Sequence, residues 1–217
     1  GLVPKAYLPN YKEFYDARHF APSSTAVSKL VRLRGEEYPF GTDLLFRADN
    51  VDGLIIGVEI CEDLWVSVPP SSIQCLHGAT VLANLSASNE TIAKATYRRQ
   101  LVGNQSARGD STQDLVFGGH SLIAENGTIL RESPRFSSEE NLISSDVDLD
   151  RLRNNRAQTT SFHDAVLEPG LKRAFRYVGF TAAERTYGLS LLREVEAHPF
   201  VPAAREQLRE RCEEIFN

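Results

Sequence analysis

The stretch Leu54-Ile55-Ile56-Gly57-Val58-Glu59-Ile60-Cys61-Glu62-Asp63-Leu64-Trp65 most constrains what this chain can fold into. From Leu54 to Ile60 it is apolar and β-branched on both alternating faces, the pattern of a strand covered on both sides inside a sheet. Glu59 cuts the run far short of the roughly 20 apolar residues a membrane-spanning helix needs, so a span is excluded. Thr80 to Leu85 reads as a second buried strand, and Leu44-Leu45-Phe46 as a shorter apolar run before the first. Pro69-Pro70-Ser71 can open a helix, because proline is tolerated in a first turn. Asn89 can cap a longer helix from about Thr91 to Arg108. His120 to Ala124 and Thr128 to Glu132 flank Asn126-Gly127, the strongest short hairpin signal available. Strands alternating with helices predict an α/β architecture.

Beyond Asp150 the chain becomes more charged. Ser137 to Asn141 reads as a polar connector, and a last helix over about Ala204 to Phe216 places Leu208, Cys212, Ile215 and Phe216 on one face. The 24 Lys+Arg against 29 Asp+Glu leave a net charge of −5, which disfavours a general nucleic-acid binder. No basic-then-apolar leader opens the chain, so a cytoplasmic protein is expected. The chain opens Gly1-Leu2-Val3-Pro4 and contains no methionine, as a processed, cut or partial chain would. Three cysteines at irregular spacing imply no disulfide framework, and scattered histidines without a Cys-x-x-Cys pair imply no metal site.

The chemistry concentrates around Cys61. A cysteine at the end of an apolar strand, followed by two acids and a turn, can expose its thiol at the sheet edge. Backbone N–H groups just after it can then donate to a developing oxyanion. A lone cysteine is more commonly a buried, inert one, and both readings stay open on residue type alone. Cys75 and Cys212 read as members of apolar helix faces. No histidine is spaced to act as a base for Cys61, so activation would fall to a carboxylate and an ammonium. Lys5, in a proline-flanked loop with Tyr7, Tyr11, Phe14 and Tyr15, is a candidate ammonium, although a lysine among rings is usually a snorkelling surface cation.

Taken together, several segments resemble a known family. Pro4-Lys5-Ala6-Tyr7-Leu8-Pro9-Asn10-Tyr11-Lys12-Glu13-Phe14-Tyr15 is similar to the lysine segment of the nitrilase-type glutaminase domain of glutamine-dependent NAD synthetases. Gly57 to Trp65 resembles that domain's cysteine segment, and Asn84 to Asn89 the strand end that follows. Gln105 to Arg108, Asp148 to Arg153 and His198 to Pro202 resemble later stretches, the last a linker towards a synthetase domain.

The resemblance implies an αββα sandwich lacking its N-terminal part, with a glutaminase domain over 1–150 and an extension and linker over 151–217. It implies Cys61 as nucleophile, Lys5 as triad lysine and Glu13 as supporting glutamate. Tyr11, Ser88 and Lys94 would hold glutamine, and the backbone N–H of Glu62 would complete the oxyanion hole. The family's general-base glutamate lies upstream of the lysine and matches no residue here. Relatives carry a further apolar strand where Arg108-Gly109-Asp110 runs directly into Ser111. No Ser-Gly-Gly-x-Asp-Ser phosphate loop occurs, so ATP and Mg2+ are expected of a synthetase domain in cis outside this chain. L-Glutamine is the expected substrate and a homo-oligomer the expected assembly. The alternatives are a stand-alone nitrilase-type amidase and a non-catalytic remnant that packs against a partner.

Overall fold

The computed structural model describes residues 1–11, 14–87, 94–105, 119–183, 190–193, 195, 208–209 and 212–213. Its centre is a four-stranded sheet of β3 (Leu44–Ala48), β4 (Ile55–Glu59), β5 (Val81–Asn84) and β8 (Arg176–Phe180), in the order β5-β4-β3-β8. β4 lies between two neighbours, as its two-sided apolar pattern predicts. It pairs antiparallel with β3, through Phe46 opposite Ile56, and parallel with β5, from Ile56 opposite Val81 to Glu59 opposite Asn84. The fold is therefore mixed α/β. Thr80 to Leu85, expected to be a buried strand, supplies an edge strand among the described residues: all four residues of β5 are only half-buried.

The connection between the parallel strands β4 and β5 runs through α1 (Pro70–Leu76). Pro70 stands at its first position, where a missing N–H costs nothing. α1 presses closely on β4: a Cβ on Gly57 would lie 2.4 Å from Gln74 Oε1, so any larger residue there would have to displace that side chain. Gln74 Nε2 donates to Val58 O at 2.9 Å across the same contact. Leu44 and Leu45 are both fully buried although they point to opposite sheet faces, so β3 is covered on both sides. Ile73 and Ala79 extend this core, while Leu64, Trp65 and Leu101 form a second buried cluster.

Two hairpins stand apart from the sheet. β6 (Leu122–Glu125) and β7 (Thr128–Glu132) are joined by Asn126 and Gly127, both at positive φ (47° and 85°), the turn this dipeptide favours. β1 (Leu30–Leu33) and β2 (Glu36–Pro39) turn the same way through Arg34 and Gly35, at φ 52° and 90°. α2 (Lys94–Gln105) packs on the β6–β7 hairpin. α3 (Leu149–Gln158) begins where the Asp148 side chain accepts from Arg151 N at 2.8 Å, and α4 (Thr160–Leu167) follows. The division expected at residue 150 does not coincide with a break in hydrogen bonding. β8, beyond it, pairs in parallel with the whole of β3, from Leu44 opposite Arg176 to Ala48 opposite Phe180. Asn89 lies outside the described residues, as does most of the expected last helix, of which 208–209 and 212–213 are helical. No helix among the described residues is long and apolar enough to cross a membrane.

Candidate active site

β4 delivers the chain to a sharp corner. Ile60 is extended, Cys61 turns to φ 49°, and Cys61–Trp65 forms a single 3-10 turn. A non-glycine residue in the left-handed region is strained by its own Cβ and persists only where its surroundings hold it. Here Asp63 does so: its Oδ2 accepts from Ile60 N at 3.0 Å, while its own N–H donates to Ile60 O at 3.1 Å. Cys61 is half-buried and in no disulfide. From the end of β5, Asn84 Nδ2 reaches Glu59 Oε1 at 3.3 Å and Cys61 O at 3.4 Å.

The Lys5 loop docks on this corner through the same aspartate. Asp63 Oδ1 accepts from Ala6 N at 2.9 Å and from Tyr7 N at 2.8 Å. Tyr11 Oη donates to Glu62 Oε1 at 2.6 Å, joining two of the expected site residues directly. The Lys5 ammonium is bonded to Asp16 Oδ2 at 2.9 Å. Lys94, on α2, is almost fully buried, with Nζ 5.3 Å from the centre of the Trp65 ring, and Trp65 stacks on Tyr97. The structure thus brings the loop that carries Lys5, with Tyr11, to the corner of Cys61 and Glu62, with Lys94 against the end of the same turn, while the Lys5 ammonium itself is paired with Asp16. Glu13 and Ser88 lie outside the described residues.

Three acids at this corner carry no signal in residue spacing. Asp16 reaches Lys5 across a loop in which Asp16 N bonds back to Pro9 O at 3.3 Å. Asp63 is 1% exposed and Glu59 2%. Glu59 Oε2 accepts from Ser71 N at 3.0 Å, binding the start of α1 to the end of β4. Burial pushes the Glu59 carboxyl above its ordinary range, against the bonds from Ser71 and Asn84 that favour its charged form.

A cavity of about 460 Å³ lies beside the Lys5 loop, lined by Tyr11, Phe14, Tyr15 and Arg18 among others. A larger groove of about 1070 Å³, bordered by Arg47, Ile55, Cys75, Arg156 and Phe162, contains none of the expected site residues. Burial pushes the Cys75 thiol up there, which opposes nucleophilic use. A polar network joins α2 to β7: Arg98 Nη1 lies 2.8 Å from His120 Nδ1, and His120 Nε2 2.6 Å from Glu132 Oε1. An arginine can only donate, so Nδ1 accepts and Nε2 carries the proton given to Glu132. Burial holds His120 towards its neutral form, while Arg99, bonded through two nitrogens, lowers Glu132 to about 2. Among the described residues no group of three or more His, Cys, Asp or Glu is placed to hold a metal ion.

No family model matches the chain. A glutamine-dependent NAD(+) synthetase from Mycobacterium bovis is 42% identical over 230 residues, covering all of this chain and 34% of that protein. The Mycobacterium leprae protein of the same name is 42% identical over 235 residues with the same coverage, and the human one 27% identical over 183 residues. The solved structure of a glutamine-dependent NAD(+) synthetase from Cytophaga hutchinsonii aligns with 62% of this chain at 28% identity and a TM-score of 0.48. The chain spans about a third of the length of the curated relatives it matches. Along its whole length, the chain is thus a homologue of one third of the mycobacterial glutamine-dependent NAD(+) synthetases.

Proposed function

We propose that this chain is the glutaminase portion of a glutamine-dependent NAD synthetase, built on a nitrilase-type αββα sandwich. The Cys61 thiolate attacks the side-chain amide carbon of L-glutamine. The C–N bond breaks, ammonia leaves with the thiol's proton, and a γ-glutamyl thioester remains for water to hydrolyse. The Lys5 ammonium and the Glu62 N–H face the developing oxyanion, and Tyr11, Ser88 and Lys94 orient the substrate. Glu13 supports the lysine. The general base is assigned to no residue of 1–217. Ammonia then serves the amidation of nicotinic acid adenine dinucleotide by a synthetase domain in cis, which uses ATP and Mg2+. In this reading residues 1–150 carry the glutaminase chemistry and 151–217 lead towards the synthetase domain, within a cytoplasmic homo-oligomer.

The observation that carries the proposal is the corner itself: a cysteine held at φ 49° at a strand end, with the Lys5 loop bonded to the same turn. A core cysteine needs neither feature. The test is NAD formation by the intact gene product with glutamine or with ammonium chloride as nitrogen source. Cys61→Ala should abolish the glutamine-driven reaction and spare the ammonium-driven one, because free ammonia bypasses the glutaminase site. Retained glutamine-driven activity would refute the nucleophile; equal loss of both would make the cysteine structural.

A further inference from the structure

We infer that Asp63 is a positioning residue whose buried carboxylate holds the Lys5 loop against the Cys61 turn and thereby fixes the backbone from which the Lys5 side chain extends, while Asp16 holds its ammonium. This rests on the thiol–lysine reading above and adds the group that assembles its two halves. One carboxylate meets three backbone donors: Ala6 N at 2.9 Å, Tyr7 N at 2.8 Å and Ile60 N at 3.0 Å. Two of these donors directly follow Lys5, and the third directly precedes Cys61. The two segments are more than fifty residues apart in sequence, with separations of 57 and 56 across the bonds. Asp63 is 1% exposed, so water cannot replace a lost bond.

The charge state and shape of this side chain are both needed. An ionised carboxylate accepts on both oxygens and donates from neither, which matches three converging N–H groups. An asparagine must turn its NH2 towards Ile60 N or towards the pair from Ala6 and Tyr7, setting donor against donor on one side. In the first orientation the strained Cys61 loses its brace; in the second the Lys5 loop loses its anchor. Either way the Lys5 loop and the Cys61 turn lose a bond that ties one to the other or braces the corner between them. Asp63 touches no substrate in this scheme and acts through Lys5 and Cys61.

The test follows the alkylation rate of Cys61 by iodoacetamide against pH in the intact gene product, read by peptide mass so that Cys75 and Cys212 are scored separately. Four proteins are compared: the parent, Asp63→Asn, Lys5→Ala and the double variant. Glu59, Glu62 and Asp16 stay in place in all four. An ammonium close to a thiolate lowers the thiol's midpoint by about one pH unit or more. Lys5→Ala should therefore move the profile up and slow the reaction below both midpoints. Asp63→Asn should shift it in the same direction, and in the Lys5→Ala background it should add nothing. A purely structural role would slow alkylation equally in both backgrounds, and that result, or an unshifted Asp63→Asn profile, overturns the inference. If Lys5→Ala itself leaves the profile unmoved, the thiol–lysine reading falls and this inference with it. Amide exchange in the unmodified protein decides the matter where Asp63→Asn does not fold. Ala6 and Tyr7 N–H should exchange at least roughly tenfold more slowly than unprotected loop amides; free-chain rates refute the anchor.

Discussion

Replacing Cys61 by glycine and by alanine separates the strain of the corner from the chemistry of the thiol. Both variants remove the sulfur, and only glycine removes the Cβ that makes φ 49° unfavourable. The left-handed region costs a residue with a Cβ about 1–2 kcal/mol. Glycine gives back roughly 0.5–1 kcal/mol of that through its greater freedom in the unfolded chain. Cys61→Gly should therefore leave the protein more stable than Cys61→Ala by about 0.5–1 kcal/mol, or ~1–4 °C in Tm for a chain of this size. Trp65, the single tryptophan of the sequence, ends the same turn and reports unfolding by its fluorescence in a urea titration of the 217-residue chain. At an ordinary extended or helical position the order would reverse, because glycine is then the less stable choice. Equal midpoints, or a more stable alanine variant, would show that the corner stores no strain.

Two further predictions concern the polar ties. Glu132, ordinarily near 4.5, is held at about 2 by Arg99 and His120, so its contribution is present above about pH 4.5 and is lost as pH falls towards 2. On a part-exposed carboxylate this amounts to about 1–2 kcal/mol after solvent screening. Urea midpoints should show Glu132→Gln less stable at pH 7 by that amount, with the difference narrowing as pH falls towards about 2. Arg176 bonds Asp43 through Nε at 2.9 Å and Nη2 at 2.6 Å, and also reaches Lys29 O and Phe40 O. Lysine cannot reproduce that fork, so Arg176→Lys should cost about 1–2 kcal/mol in thermal or chemical unfolding.

The parts of the fold legible in the sequence are those set by neighbours along the chain. Leu54 to Ile60 announces an internal strand because both alternating faces are apolar, and Asn126-Gly127 announces its turn because both residues accept positive φ. The β1–β2 hairpin makes the same turn with Arg34-Gly35, but its strands mix Arg32, Glu36 and Glu37 with apolar residues and stay largely exposed. β8 alternates Arg176, Val178 and Phe180 with exposed positions and is hidden in a charged stretch; only its pairing with β3 makes it a strand. At the candidate site, Cys61 is conspicuous because its local context is unusual. Asp63 and Asp16 are not, because each acts on a segment brought near by folding: an acid after a cysteine looks the same whether it faces water or three amides.

β8 also sets an order of events during synthesis. β3 is complete by Ala48, and its partner on one side, β4, follows within a few residues. The other edge of β3 stays open until Phe180 has been made and has left the ribosome. Through that interval Leu44 and Leu45, fully buried at the end, sit on a strand with unsatisfied backbone groups. A nascent chain in that state offers a template to any other extended segment, its own or a neighbour's. A polypeptide shortened to residue 150 would leave that edge permanently open, and aggregation through it is the failure expected of such a chain.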